Sequence, residues 1–211
     1  MIPLILRLKK NSHKEIAKAQ DLIVETLYNI FDNAVFHGGT SIWRCYKGNR
    51  FSEDIDVYLT KDLKKINEFF DLLEKKGFII EKKKITENSI FSTLKLNKEN
   101  VRFEAIFKKI SGSLKEYETA EGNFITVYAL IPEELIKEKI NAYLNRQKIR
   151  DLYDIFFLLR YVENLSSVKK ELKELIVKFK NPEDENNLKI LILEGLVPNK
   201  EKMLEYIKNR I

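Results

Sequence analysis

The sequence predicts an α+β protein, a mixed sheet flanked by helices over residues 1–131 and a helical C-terminal half over 132–211. Three observations carry that reading. Apolar residues recur at helical spacing over Ser12–Phe31 and Lys61–Lys76. Short runs that alternate or are continuously apolar lie between and after them, most clearly Ile55, Val57 and Leu59 set against Asp54, Asp56 and Tyr58. Beyond Pro132 the strand-like runs stop and helical spacing takes over.

Taken in order, Ile16, Ala17, Leu22, Ile23, Leu27, Ile30 and Phe31 make the apolar stripe of the first helix, with Ser12 and Glu15 spaced as a capping box. Ala34–Phe36 reads as a strand entering a tight turn at His37-Gly38-Gly39, and Ser41–Tyr46 as one or two helical turns. Leu63, Ile66, Phe69, Phe70, Leu72 and Leu73 mark a second amphipathic helix stopped by Gly77. Strands follow at Phe78–Ile85, Ile90–Leu96 and Val101–Ile110, the last two joined by a turn at Asn97–Asn100. Ser111–Asn123 reads as loop and Phe124–Leu130 as strand. Helices are expected over Glu133–Leu144, Arg150–Val162, Ser167–Phe179 and Lys200–Ile207.

With 211 residues, 44% of them hydrophobic, and only 7 Gly and 4 Pro, the chain can bury a core and is not of disordered composition. The net charge of +6 suits a nucleic-acid or phosphate partner, although most charged side chains belong to a solvated surface. A single cysteine, Cys45, rules out an internal disulfide and a cysteine-rich zinc site, and points to a reducing, cytoplasmic compartment. Met1–Lys10 lacks the order of a signal peptide and no run reaches the length of a membrane span, so a soluble protein is expected. Two histidines, His13 and His37, leave little room for a histidine-based metal site.

The chemistry concentrates at two places. Gly38 and Gly39 let the backbone approach a ligand closely and aim N–H groups at phosphate oxygens, and Thr40 adds a hydroxyl. Asp54 and Asp56, two apart on a strand, present both carboxylates on one side, where a divalent cation relieves their repulsion. Such hard oxygen ligands suit Mg²⁺ or Mn²⁺ carrying an NTP. Glu104 is the candidate third ligand; the alternative is a salt bridge to Arg102 or a nearby lysine. Arg50 either holds a phosphate or pairs with Glu53 or Asp54, and Ser52 either joins the site or turns the loop.

Phe36-His37-Gly38-Gly39-Thr40 followed by Arg50-Phe51-Ser52-Glu53-Asp54-Ile55-Asp56 resembles the nucleotidyltransferase-like AbiEii/AbiGii toxin family, within the DNA polymerase β-like superfamily. Lys139, Arg146 and Arg150-Asp151-Leu152-Tyr153-Asp154 match that family's second motif. The resemblance spans at least Phe36 to Leu158. It implies a nucleotidyltransferase-type sheet, an active-site cleft completed by the helical half, and roles for Lys139, Asp151 and Asp154 in nucleotide binding and catalysis. It also implies an antitoxin partner and a tRNA acceptor. Lys139, Arg146 and Arg150 fall near one stripe if their helix is continuous; if it breaks near Asn145–Lys148, helical phase says nothing. In the purely structural alternative, Arg146 and Arg150 pair with Asp151 and Asp154. The expected reaction is transfer of a nucleoside monophosphate from an NTP to an acceptor hydroxyl. The alternatives are nucleotidylation of a protein partner, or NTP binding without turnover.

Overall fold

A computed structural model describes residues 2–211. The chain forms two compact units, Met1–Lys47 with Phe51–Leu130, and Gly48–Arg50 with Ile131–Ile211.

In order, the first unit contains α1 (Leu4–Arg7), α2 (Asn11–Ile30), β1 (Val35–His37), α3 (Gly38–Cys45), β2 (Ile55–Leu59), α4 (Leu63–Lys75), β3 (Ile79–Ile85), β4 (Ser89–Leu96), β5 (Glu99–Phe107), β6 (Ser113–Glu118) and β7 (Phe124–Ala129). The strands form one sheet of order β3-β4-β5-β2-β1-β7-β6. It is mixed: β2 runs parallel to β5 and β1 parallel to β7, and the other neighbours are antiparallel.

Period-two alternation divides the sheet into two faces. Ile55, Val57, Val101, Phe103 and Ala105 point into the core, where Ile23 and Leu27 of α2 and Ile66, Phe69 and Leu73 of α4 are also buried. Phe69 and Phe103 pack with ring centroids 4.9 Å apart. Burying each such side chain contributes roughly 1.5–3 kcal/mol. The opposite face carries Asp56, Tyr58, Arg102, Glu104, Ile106, Phe91 and Thr93, all exposed or half-buried. Arg44 is fully buried in this unit. Its guanidinium pairs with Asp21 and lies 4.7 Å from the ring centres of both Trp43 and Tyr117, which locks α2, α3 and β6 together.

Three details differ from expectation. Ser12 does not cap α2; the helix starts a residue earlier with Lys10 at the cap and no side-chain cap bond. Gly38-Gly39 is not a separate turn but the first turn of α3. Ser113–Glu118 is a strand, not a loop. Its two apolar residues, exposed Leu114 and buried Tyr117, are three apart and so lie on opposite faces, which leaves no apolar alternation in the sequence.

The second unit holds α5 (Pro132–Arg146), α6 (Ile149–Leu158), α7 (Lys169–Val177), α8 (Leu188–Leu191) and α9 (Lys200–Asn209), joined by short 3₁₀ turns. Pro132 starts α5 where its missing N–H costs nothing. Gln147, left-handed at φ 46°, ends it. The helix therefore breaks, and Lys139 and Arg146 stand on a different helix from Arg150. Residues 48–50 join this unit through Leu193 N donating to Asn49 O at 2.8 Å and a bridge between Arg50 and Ile192. Among the described residues, no helix is long and apolar enough to cross a membrane.

Candidate active site

The first cluster sits where β1 meets α3 and where β2 pairs with its two neighbours. Strand register puts His37, Asp56 and Glu104 side by side, with Asp56 the partner of His37 on one side and of Glu104 on the other. Gly38 has φ +70°, and a Cβ built on it would fall on the Asp56 carboxylate, 2.9 Å from Cγ. Glycine is thus required twice at this position, for the backbone angle and for the close approach of Asp56. Thr40 is buried, and its hydroxyl donates to the carbonyl of Asp54. That bond fixes the segment entering β2. Ser52 is likewise buried, and its carbonyl accepts from Gln20 Nε2 at 3.0 Å.

Asp54 is held by Arg102, whose Nε donates to Oδ1 at 2.8 Å while Nη2 pairs with Oδ2. The sequence offers Arg102 as a partner for Glu104, and the fold gives it to Asp54. Period two on β5 already placed it on the same face, but the parallel β2–β5 register that brings Asp54 to it has no local sequence signal. Burial and the neighbouring Asp56 carboxylate push the Glu104 pKa up, Asp54 adds to this, and Arg102 opposes it. His37 stacks on Tyr58 with ring centroids 4.2 Å apart, which accounts for that histidine by packing. Burial pushes the Cys45 thiol up to about 12, so it is not a nucleophile at neutral pH.

The carboxylates suit a hard divalent cation in chemistry: all are oxygen donors, and Asp56 and Glu104 stand side by side in strand register. Among the described residues, no three His, Cys, Asp or Glu side chains converge as a ready-made metal cage. Arg102 occupies Asp54 and would have to yield it.

The second cluster lies in the helical unit. Arg50 donates to Asp154 through two nitrogens, each at 2.8 Å. Lys139 Nζ lies 2.8 Å from Asp154 Oδ2 and 3.6 Å from Asp151 Oδ1. Arg146 grips Asp151 at 2.7 and 2.8 Å. Asp151, Asp154, Lys139 and Arg50 are all buried. Burial alone would raise the Asp154 pKa, but Arg50 and Lys139 hold it below the usual carboxylate value. Arg50 therefore pairs with Asp154. Three cations share two carboxylates, which leaves net positive charge. Arg150 stands apart from these pairs, lining a cavity of about 410 Å³ with Lys148, Asp184 and Asn187.

Solved structures similar to this chain share its fold. The nucleotidyltransferase toxin MenT4 of Mycobacterium tuberculosis is 17% identical, with a TM-score of 0.67 over 98% of this chain and 85% of that one. JHP933 of Helicobacter pylori is 20% identical, with a TM-score of 0.64 over 95% and 90%. A further H. pylori protein described as a nucleotidyltransferase is 21% identical, with a TM-score of 0.62 over 95% and 93%. No curated protein matches by sequence. The description "Nucleotidyl transferase AbiEii toxin, Type IV TA system" matches residues 23–206, nearly the whole chain and both charged clusters. Binding without turnover is thereby set aside, and the chain belongs to the AbiEii family of nucleotidyltransferase toxins, enzymes of NTP-dependent nucleotidyl transfer.

Proposed function

We propose that this enzyme moves a nucleoside monophosphate from an NTP to the hydroxyl of a tRNA acceptor, with Asp54, Asp56 and Glu104 holding Mg²⁺ or Mn²⁺. The single observation that carries the reading is the seating of Asp56 against Gly38, in strand register with Glu104. When bound, the metal would neutralise phosphate charge and favour the ionised acceptor oxygen. Gly38 and Gly39, at the start of α3, turn backbone N–H groups toward the triphosphate. Arg102 keeps Asp54 in place until a cation takes it over. Lys139, with Arg146 and Arg150, supplies the positive charge that the departing pyrophosphate calls for. Asp154 and Asp151 orient Lys139, Arg50 and Arg146, and the Arg50 and Lys139 charges make Asp154 a poor proton acceptor. The acceptor oxygen bonds the α-phosphorus, the bond to the bridging oxygen breaks, pyrophosphate leaves, and the acceptor proton passes to water.

The family description names a toxin–antitoxin system. We therefore expect a cognate antitoxin as partner and action in the cytoplasm. The test is incubation with Mg²⁺, each labelled NTP and total RNA, in parallel with a protein extract. Label should enter an RNA of tRNA size, and Asp56→Ala should lose the transfer while remaining folded. Full transfer by Asp56→Ala would place the site elsewhere, and label in protein alone would make the acceptor a polypeptide.

A further inference from the structure

We infer that the uncovered sheet face beside the carboxylates seats the acceptor as a single strand of nucleic acid, with Phe91 as base platform and Lys82 and Lys84 as phosphate contacts. This rests on the transfer reading above and adds a binding surface to it.

Strand register draws one row across five strands: Lys84, Phe91, Glu104, Asp56, His37. Phe91 is thus the direct neighbour of Glu104 and lies two strand spacings, about 10 Å, from Asp56. That is the reach of a nucleoside whose hydroxyl lies at the carboxylates and whose base lies outward. Phe91 is 37% exposed, with charged Lys84 and Glu104 as its direct neighbours in the row, so part of an apolar ring is left open to a ligand. Stacking with an unpaired base gives such a ring a partner, and every base has a face to offer.

The lysines of β3 are sorted by face. Lys83, paired with buried Ser92, turns to the helix side and lies 4.4 Å over the Phe70 ring. Lys82 and Lys84 turn to the uncovered face as partners of Thr93 and Phe91. Both are exposed, and neither has an ion-pair or hydrogen-bond partner among the described residues. Lys95, on the same face, is already paired with Glu81 at 3.4 Å. Two unpaired cations outward of an exposed ring, with metal-binding carboxylates inward of it, complement a polyanion whose end must reach the metal.

The test measures binding of a short single-stranded oligoribonucleotide, fluorescently labelled at the end away from its free hydroxyl, to the whole protein by anisotropy across a salt series. Phe91→Ala should weaken binding by about tenfold or more, and Phe91→Trp should preserve it. Lys82→Glu with Lys84→Glu should lower the slope of log Kd against log salt by about 1.4, at about 0.7 per phosphate contact on a single strand. NTP affinity, measured separately by calorimetry, should stay at the wild-type value in all three. Equal oligonucleotide binding by the wild type and these variants overturns the inference. So does a loss confined to NTP affinity, which would make Phe91 a platform for the NTP base. Oligonucleotide binding that responds as described, without nucleotidyl transfer to any acceptor, would uphold this surface and sink the reaction proposed above.

Discussion

Gly38 and Asp56 occupy each other's space. Replacing Gly38 by Ala puts a methyl where the carboxylate stands and a Cβ on a left-handed φ. We expect about 1–3 kcal/mol of destabilisation and about a hundredfold loss of transfer from displacement of Asp56, checked by urea unfolding and by turnover at saturating NTP. Asp154 makes a different prediction. Two cations depress its folded pKa, so its contribution is fully present above the ordinary carboxylate range and is lost as pH falls through the depressed value. Unfolding midpoints should decline through that acid window in the wild type and change less in Asp154→Asn. That variant should start about 3–5 kcal/mol less stable, because buried Arg50 and Lys139 lose the carboxylate charge they share at Asp154. At this scale the sequence is informative about which residues are candidates and weak about what they touch. The spacing of Asp54 and Asp56 and the Gly-Gly pair mark the candidate site without any structure. Arg102 on Asp54 and Arg50 on Asp154 join residues 48 and 104 positions apart, which no local pattern encodes.

Elements were legible where one face is buried and one is wet. The sequence bounds of β2 are those of its alternation, and α4 starts at a true cap, Asp62, whose carboxylate accepts from Lys64 N at 3.0 Å and Lys65 N at 3.1 Å. Asp62→Ala should cost about 1 kcal/mol in thermal or urea unfolding and leave NTP affinity alone, since α4 packs on the side of the sheet away from the carboxylates. Legibility failed where apolar residues did not mark the buried positions. At β6 Leu114 and Glu116 are exposed while Tyr117 and Glu118 are buried, the latter neutralised by Arg7 at 2.6 Å. The Ser12-Glu15 box failed for another reason: Asn11 already belongs to the helix, so Ser12 lies inside the first turn and not at the cap position.

For the molecule as a whole, a net charge of +6 makes association with any polyanion favourable and salt-dependent. Wild-type affinity for tRNA should fall steeply from low to physiological salt in filter-binding or anisotropy measurements, whereas NTP affinity should fall far less because fewer phosphates are engaged. Affinity for tRNA that does not vary with salt would remove the electrostatic part of the functional reading. The charge is unevenly placed, and β3 shows a second result of that placement. It is a seven-residue strand at the border of the sheet, with its outward N–H and C=O groups open to pairing and Ile79 62% exposed beside them. A border of that length invites the same strand of another copy to zip onto it. Lys82, Lys83 and Lys84 set like charge against like along the zipper, so the segment that would collect an RNA end is also the segment that keeps the toxin from polymerising through its own sheet.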